Sequence, residues 1–188
     1  MVAGMALSVR NQPAGRITVL CGLPNARSQT NSFPLAKEQT SQYFLVRHAE
    51  KGQDDPKDPT LTATGQARAQ LIARELAHAG ITAIYSTDYQ RTRLTAQPLA
   101  DRLGLNVQIY DAKRDLAEFL QEVQSNHAGE RVLIVGHSNT IPNMANILSG
   151  KESYQQFDDA DYNHLLIVTG MLGQGVVTDL TISPCLAE

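Results

Sequence analysis

The sequence predicts an α/β fold, a three-layer α/β/α sandwich built around a mainly parallel sheet. From residue 43 onward, short all-apolar runs typical of buried parallel strands alternate with amphipathic segments of helical period. This alternation indicates strand–helix–strand units, which place helices on both faces of one sheet. The chain has 188 residues, enough for one such domain and a tail. We therefore expect one folded domain over residues 41–188.

Six segments are predicted as strands. Four of the first five are short runs of consecutive apolar side chains, as buried strands of a parallel sheet require, and the third is a short strand in which Gln108 stands between two apolar residues. The last is looser in pattern, which favours a position at or near an edge of the sheet. The predicted strands are residues 43–46, 83–85, 107–109, 132–135, 165–168 and 176–182.

Helices are predicted between the strands. Thr62 and Thr64 are suitable N-caps for the first helix, and Gly80 is a suitable stop. The second helix follows three candidate caps at 86–88, and Pro98 must kink or restart it because proline lacks the N–H that a helix interior needs. Two more helices have apolar side chains at helical spacing. These side chains are Leu116, Phe119, Leu120 and Val123 in the third helix, and Ile141, Met144, Ala145 and Leu148 in the fourth.

The composition excludes several classes of protein. Hydrophobic residues make up 42% of the chain, enough for a packed core and too many for a chain disordered throughout. The net charge of −3 and the lack of a long basic run argue against a nucleic-acid-binding protein. No apolar run has the length of a transmembrane segment.

The first forty residues differ from the rest. They carry four basic side chains against one acidic side chain and lack sustained periodicity, so we expect a poorly ordered leader over residues 1–40. Within it, the apolar run 17–23 follows Arg10 and Arg16 and has the outline of a signal peptide. Because this run is short and contains Thr and Gly, a cytoplasmic location is the default expectation and export the alternative.

Charged and imidazole side chains follow the predicted strands. Open α/β sheets bind ligands at the carboxyl ends of their strands, so these residues are the candidates for a site. Arg47 and His48 follow the first strand, Arg91 opens the helix after the second, and His137 follows the fourth. Helix N-termini also favour anions. The pattern indicates a phosphate-binding site that contains histidine.

Three motifs around these residues resemble the histidine phosphatase superfamily, whose fold is that of phosphoglycerate mutase. The first is Leu-Val-Arg-His-Ala-Glu at 45–50, the second the arginine-containing stretch 86–96, and the third Val-Gly-His at 135–137. Residues 61–65 match the segment between the first two motifs. Three motifs in the same order are more specific than any one alone. The resemblance covers residues 43–182.

The resemblance implies a mechanism for these residues. His48 attacks phosphorus and becomes phosphorylated, Arg47 and Arg91 bind the phosphoryl oxygens, and His137 contributes a further hydrogen bond. An imidazole with a pKa of about 6.5 is largely neutral at pH 7, and the adjacent guanidinium groups favour this neutral, nucleophilic form. Water then hydrolyses the phosphohistidine. This set of residues requires no metal and no other cofactor.

The proton donor for the leaving oxygen is predicted less directly. The family places a Glu or Asp either after the third strand or directly after the second histidine, and here Ser138 takes the latter position. We therefore expect Asp111 to be the donor, with Asp115 as its rival and a merely capping or solvated carboxylate as the alternative. Asn139 is a candidate substrate-binding residue, although helix capping alone would also explain it.

The sequence thus predicts a metal-independent phosphatase that acts on a phosphorylated small molecule or a phosphoprotein. A phosphoglycerate mutase-type phosphotransferase is the nearest alternative, but it needs further contacts to a substrate carboxylate, and the short connection between the first two motifs favours hydrolysis. A non-catalytic module that binds a phosphorylated ligand is a second alternative. A metal hydrolase would leave both arginines unexplained.

Overall fold

A computed structural model describes residues 40–183 and shows the predicted α/β architecture. One six-stranded sheet has the order β3-β2-β4-β1-β5-β6. All six predicted strands are confirmed within two residues at either end. Their bounds are β1 Gln42–Arg47, β2 Ala83–Thr87, β3 Val107–Tyr110, β4 Arg131–Gly136, β5 His164–Thr169 and β6 Val176–Thr181.

The sheet is parallel in its first four strands and antiparallel at one side. β1 pairs with β4, and β2 pairs with both β3 and β4, all in parallel. β5 and β6 add antiparallel strands beyond β1, and β6 lies at the edge, as its loose pattern predicts. The prediction of a mainly parallel sheet is therefore confirmed.

Four helices cover the sheet, α1 Ala63–Leu76, α2 Gln90–Leu103, α3 Leu116–Asn126 and α4 Thr140–Ser149. The side chains of β1 alternate between two hydrophobic clusters, because successive residues of a strand point to opposite faces. Tyr43 and Leu45 pack with side chains of α3 and α4, while Phe44 and Val46 pack with those of α1 and α2. Two clusters on opposite faces of one sheet make the three layers.

The helix ends differ from the prediction in two places. Thr62 is the N-cap of α1 as expected, with its hydroxyl accepting from the Gly65 N–H, but the helix ends at Leu76, short of Gly80. α2 continues through Pro98, so of the two expected outcomes the restart is wrong and the kink stays a prediction. Buried residues on both sides of this proline, including Leu99, fix the helix against the sheet and compensate for the missing hydrogen bond.

The register of the sheet aligns the strand ends that carry the predicted site. Arg47, the last residue of β1, pairs with Gly136, the last residue of β4, so His48 and His137 leave the sheet side by side. The predicted leader, residues 1–40, lies almost wholly outside the described residues. Within residues 40–183, none of the helices combines the length and apolarity needed to cross a membrane.

Candidate active site

A surface pocket of about 310 Å³ lies at the carboxyl ends of β1, β2 and β4. It is lined by the four side chains that the sequence predicts as the core of the site, namely Arg47, His48, Arg91 and His137. The two imidazole rings meet edge to face, with 5.6 Å between their centroids. Residues separated by up to ninety positions in the chain therefore converge on one pocket because the strands that carry them are parallel neighbours.

His48 is held by its neighbours through its backbone and one ring nitrogen, and the other ring nitrogen has no hydrogen bond to the described residues. Its backbone N–H donates to the Gly136 carbonyl at 2.9 Å, which continues the β1–β4 ladder by one bond. Its Nδ1 lies 2.8 Å from the Ala49 carbonyl oxygen. A carbonyl only accepts, so Nδ1 carries the proton and Nε2 presents its lone pair. This tautomer suits a nucleophile attacking through Nε2.

The environment of His48 also keeps the ring neutral. The side chain is 4% exposed, and burial together with the charges of Arg47 and Arg91 lowers the pKa of His48 to about 3. The hydrogen bond to the Ala49 carbonyl opposes this shift and is outweighed. A buried imidazole between two guanidinium groups therefore stays unprotonated and nucleophilic far below neutral pH.

Arg47 is fixed by the segment 158–162, which follows α4. Its Nη1 donates to the carbonyl oxygens of Asp158 and Asp161, both at 2.7 Å. The Tyr162 ring covers the guanidinium at 4.2 Å from its centroid, and the Asp159 carboxylate lies 4.0 Å from Nη2. Nε of this buried side chain has no hydrogen-bond partner among the described residues. The Nη1 end of the guanidinium is thus anchored by the segment 158–162.

Arg91 lies in the first turn of α2 and is oriented by two neighbours. Its guanidinium lies over the Tyr89 ring at 4.3 Å, and its Nη1 is 3.7 Å from an oxygen of Asp58. The same Asp58 oxygen accepts from the backbone N–H of Gln90 at 2.8 Å. Asp58 therefore caps α2 from the loop after β1, in place of the predicted caps at 86–88.

A chain of hydroxyl groups orients His137. The Thr92 hydroxyl donates to the carbonyl oxygens of Thr87 and Tyr89, so it accepts from the Thr87 hydroxyl at 2.9 Å. Thr87 in turn accepts from Nε2 of His137 at 3.0 Å. Both threonines are fully buried. The proton of neutral His137 is therefore on Nε2, and Nδ1 is the nitrogen left for the pocket.

The pKa of His137 is also lowered, to about 4, first by burial and then by the charges of Arg91 and Arg47. In this form Nδ1 accepts hydrogen bonds. Donating to a phosphoryl oxygen requires a second proton on the ring, which a bound phosphate would favour because it neutralises the two arginines. His137 is thus suited to carry a proton when an anion fills the pocket.

The model for the histidine phosphatase superfamily (branch 1) matches residues 43–118, the segment that contains Arg47, His48 and Arg91. The predicted resemblance to the histidine phosphatase superfamily is confirmed. His137 lies beyond the matched segment, and its place in the same pocket comes from the register of β1 with β4.

Curated relatives match over the same part of the chain. A probable phosphoglycerate mutase, GpmB, of Yersinia enterocolitica is 41% identical over 75 residues, which are 35% of this chain and 34% of that protein. Its counterpart in Escherichia coli is 37% identical over 78 residues, 38% of this chain and 36% of that protein. The match thus spans about a third of the length of these relatives.

Solved structures share the fold over most of the described residues. The protein histidine phosphatase SixA, complexed with tungstate, superposes with a TM-score of 0.61 at 19% identity and covers 77% of this chain and 97% of its own. A mycobacterial glucosyl-3-phosphoglycerate phosphatase gives 0.62 at 14% identity, with 77% and 100% covered. These similarities confirm the phosphoglycerate mutase-like fold of the superfamily.

The structure leaves Asp111 outside the pocket. Its exposed carboxylate accepts from the backbone N–H of Lys113 at 2.9 Å, and Ala112 is the residue of this turn that lines the pocket. Its role as proton donor stays a prediction. Among the residues lining the pocket, Asp159 is the carboxylate, and its side chain is fully exposed.

Asn139 lines the pocket, as a substrate-binding residue should. It occupies the N-cap position of α4, yet its side chain makes no capping hydrogen bond. Helix capping therefore does not account for this side chain. Lys51 and Ser138 line the same pocket.

Several contributors to the site were missed in the sequence. Tyr162, Asp158 and Asp161 act through an aromatic face or through backbone carbonyls, for which a sequence has no specific signal. Thr87 and Thr92 did have a signal in the sequence, because hydroxyl groups five residues apart on either side of a helix N-terminus can form a hydrogen bond.

Proposed function

We propose that this chain is a metal-independent phosphatase that hydrolyses a phosphate monoester or phosphoprotein through a phosphohistidine at His48. The observation that carries the proposal is the hydrogen bond from Nδ1 of the buried His48 to the Ala49 carbonyl, which makes Nε2 the acceptor nitrogen of a ring that lines one pocket with Arg47 and Arg91. The superfamily match and the pocket-lining arginines support the same reading.

The reaction follows from this geometry in two steps. Nε2 of His48 attacks phosphorus, the bond from phosphorus to the leaving oxygen breaks, and that oxygen takes up a proton. Water then attacks the phosphorus of phosphohistidine, loses a proton, and releases inorganic phosphate and neutral His48. Arg47 and Arg91 stabilise the charge on the phosphoryl oxygens in both steps, which is the main source of catalysis in phosphoryl transfer.

Two side chains are proposed to handle the proton. Asp111 remains the predicted donor, and to reach the leaving oxygen its carboxylate must release the Lys113 N–H. His137 receives a proton through Nδ1 when phosphate binds and donates it to a phosphoryl oxygen. A good leaving group reduces the need for a separate acid.

The substrate is proposed as a class. Structural neighbours include a protein histidine phosphatase and, from Entamoeba histolytica, a phosphoserine phosphatase, so the fold accepts both proteins and small molecules as substrates. The curated relatives named as phosphoglycerate mutases favour phosphotransfer as the second candidate. An assay of phosphoglycerate interconversion separates it from hydrolysis.

The proposal is tested by replacing the nucleophile. His48→Ala should lower hydrolysis of p-nitrophenyl phosphate by at least about 10³-fold, because removing a covalent catalyst abolishes the two-step route. The assay contains a chelator, and circular dichroism checks the fold. Rapid acid- and base-quench of the wild type with ³²P-labelled substrate should give a protein-bound phosphate that is labile in acid and stable in base.

The matched control is His78→Ala, an exposed histidine of the same chain, which should keep full activity. Hydrolysis by His48→Ala close to the wild-type rate would refute the mechanism. Loss of activity on adding the chelator would instead point to a metal hydrolase.

A further inference from the structure

His164 lies between two carboxylates at the edge of the sheet. Its Nε2 is 3.0 Å from the Asp161 carboxylate, and its Nδ1 is 2.9 and 3.0 Å from the two oxygens of Asp179 on β6. The ring stacks on Phe157 at 4.6 Å between centroids. The proposed reaction assigns His164 no role.

This arrangement requires a doubly protonated ring. Ionised carboxylates only accept hydrogen bonds, so both ring nitrogens must donate for both contacts to form. Burial lowers the pKa of His164, but the hydrogen bonds and charges of Asp179 and Asp161 outweigh it and raise that pKa above its ordinary value. Among the described residues, the other titratable groups that interact with this cluster are the Tyr154 phenol, through Asp179, and the Arg47 guanidinium, through Asp161. The Phe157 ring is uncharged.

Asp161 links this cluster to the pocket. Its carboxylate accepts from His164, and its backbone carbonyl accepts from Nη1 of Arg47 at 2.7 Å. A turn hydrogen bond of 2.9 Å joins the Asp161 N–H to the carbonyl of Asp158, which also accepts from Arg47. Tyr162, the next residue, covers the guanidinium. One short segment therefore connects His164 to the anchored edge of Arg47.

We propose that His164 is a positioning residue for phosphate binding: its imidazolium fixes the segment 158–162, which in turn holds Arg47, and loss of its proton weakens binding. When His164 is neutral, one ring nitrogen becomes an acceptor facing a carboxylate, and one of the two contacts is lost. The segment then loosens and Arg47 is less well ordered toward the phosphoryl oxygens. The inference rests on the proposed phosphate-binding role of Arg47.

The contribution of His164 to phosphate binding decreases as the pH rises. The contribution of His164 is fully present at low pH and disappears as the pH rises through its folded pKa, which lies above 6.5. Phosphate itself titrates near neutrality, so affinities at different pH values are not directly comparable. The ratio of variant to wild-type affinity at each pH removes this ligand effect.

The experiment measures binding of inorganic phosphate by calorimetry from pH 5.5 to 9.5. His164→Gln should bind phosphate about fivefold more weakly than wild type at the acidic end, and the two affinities should converge at the alkaline end. In the Asp179→Asn background, the affinities with and without His164→Gln should converge at a lower pH, because Asp179→Asn removes a carboxylate that stabilises the imidazolium. His78→Gln, an exposed histidine, should match wild type throughout.

A second measurement needs no variant. By linkage, phosphate must raise the pKa of His164 if protonated His164 favours phosphate. NMR titration of the wild type should therefore give a pKa above 6.5 for His164, and a higher one in saturating phosphate. In turnover assays, His164→Gln should raise KM more than it lowers kcat.

Each outcome decides one of the two proposals. Equal affinities of His164→Gln and wild type at all pH values, or a loss that does not vary with pH, would overturn the positioning role. So would a His164 pKa that phosphate leaves unchanged. A wild type that binds phosphate with this pH dependence but hydrolyses no ester would refute the proposed function and leave this inference standing.

Discussion

Arg91 and Arg93 lie two residues apart on α2 and have different surroundings. Arg91 is mostly buried against Tyr89 and lines the pocket, whereas Arg93 is exposed and pairs with the exposed Asp88 at 3.2 Å. A lysine ammonium keeps the charge but not the planar, two-pronged donor geometry of a guanidinium. Arg91→Lys should therefore lower kcat/KM by about 10- to 100-fold.

Arg93→Lys is the matched control for this comparison and should keep nearly full activity, because an exposed ion pair contributes little. Steady-state kinetics on one aryl phosphate tests both variants. Similar losses in the two variants would mean that the wrong arginine of α2 has been assigned to the pocket.

At the residue level, the sequence is informative where position in the chain alone determines the surroundings. Arg47, His48 and His137 directly follow buried strands, and parallel strands end at one edge of the sheet, so their proximity was predictable. The partner of Glu50, by contrast, was not predictable from the sequence. Its carboxylate binds Arg68 through two oxygens, although the helical pattern of α1 gives no reason to bury an arginine.

The contact between α1 and the end of β1 depends on one glycine. A Cβ on Gly65 would lie 2.4 Å from the Glu50 carbonyl oxygen and 3.0 Å from the Glu50 nitrogen, and backbone atoms have little room to move. Alanine normally stabilises a helix relative to glycine. Here we expect the reverse: Gly65→Ala should lower the free energy of unfolding by roughly 1–3 kcal/mol.

Urea denaturation measures this change, with Gly52→Ala as the control. At Gly52 the contact closer than 3.0 Å is to a side-chain oxygen of Asp54, which is exposed but hydrogen-bonded to Thr60, and the backbone angle is ordinary. This control should lower the free energy of unfolding by less than Gly65→Ala does, because an exposed side chain can shift more easily than backbone atoms. A Gly65→Ala variant as stable as the wild type would show that α1 does not rest on the Glu50 backbone.

Helix bounds were the least predictable elements. Thr62 was identified as a cap because the capping residue adjoins its own helix. α2 is capped instead by Asp58, more than thirty residues earlier, and only the fold brings it there. Pro98 shows a second limit, since packing on both sides of it overrides the local preference against a continuous helix.

For the molecule as a whole, the order of strands and helices was predictable because burial on both faces produces uninterrupted apolar strands. The antiparallel direction of β5 and β6 was not predictable, since an apolar strand has the same pattern in either direction. This pair of strands matters for the site: it carries His164 and Asp179, and the segment that holds Arg47 runs into it.

The stability of the whole molecule should depend on pH through the two histidines of the pocket. Folding lowers the pKa of His48 to about 3 and that of His137 to about 4, while both titrate near 6.5 in an unfolded chain. Below pH 6.5 the unfolded state therefore binds more protons, and the folded state is destabilised as the pH falls. Each histidine contributes a slope of up to about 1.4 kcal/mol per pH unit.

Urea denaturation between pH 7 and pH 5, in buffers without phosphate, measures this slope above the range in which most carboxylates titrate. His48→Asn should show a shallower loss of stability than the wild type over the same interval, because asparagine has no proton to gain on unfolding. Adding phosphate should also flatten the wild-type slope, since a bound anion favours protonation of the two imidazoles in the folded state. Identical slopes for the variant and the wild type would mean that His48 is already protonated in the folded protein at pH 5, and that burial between two arginines does not keep its nucleophilic nitrogen free.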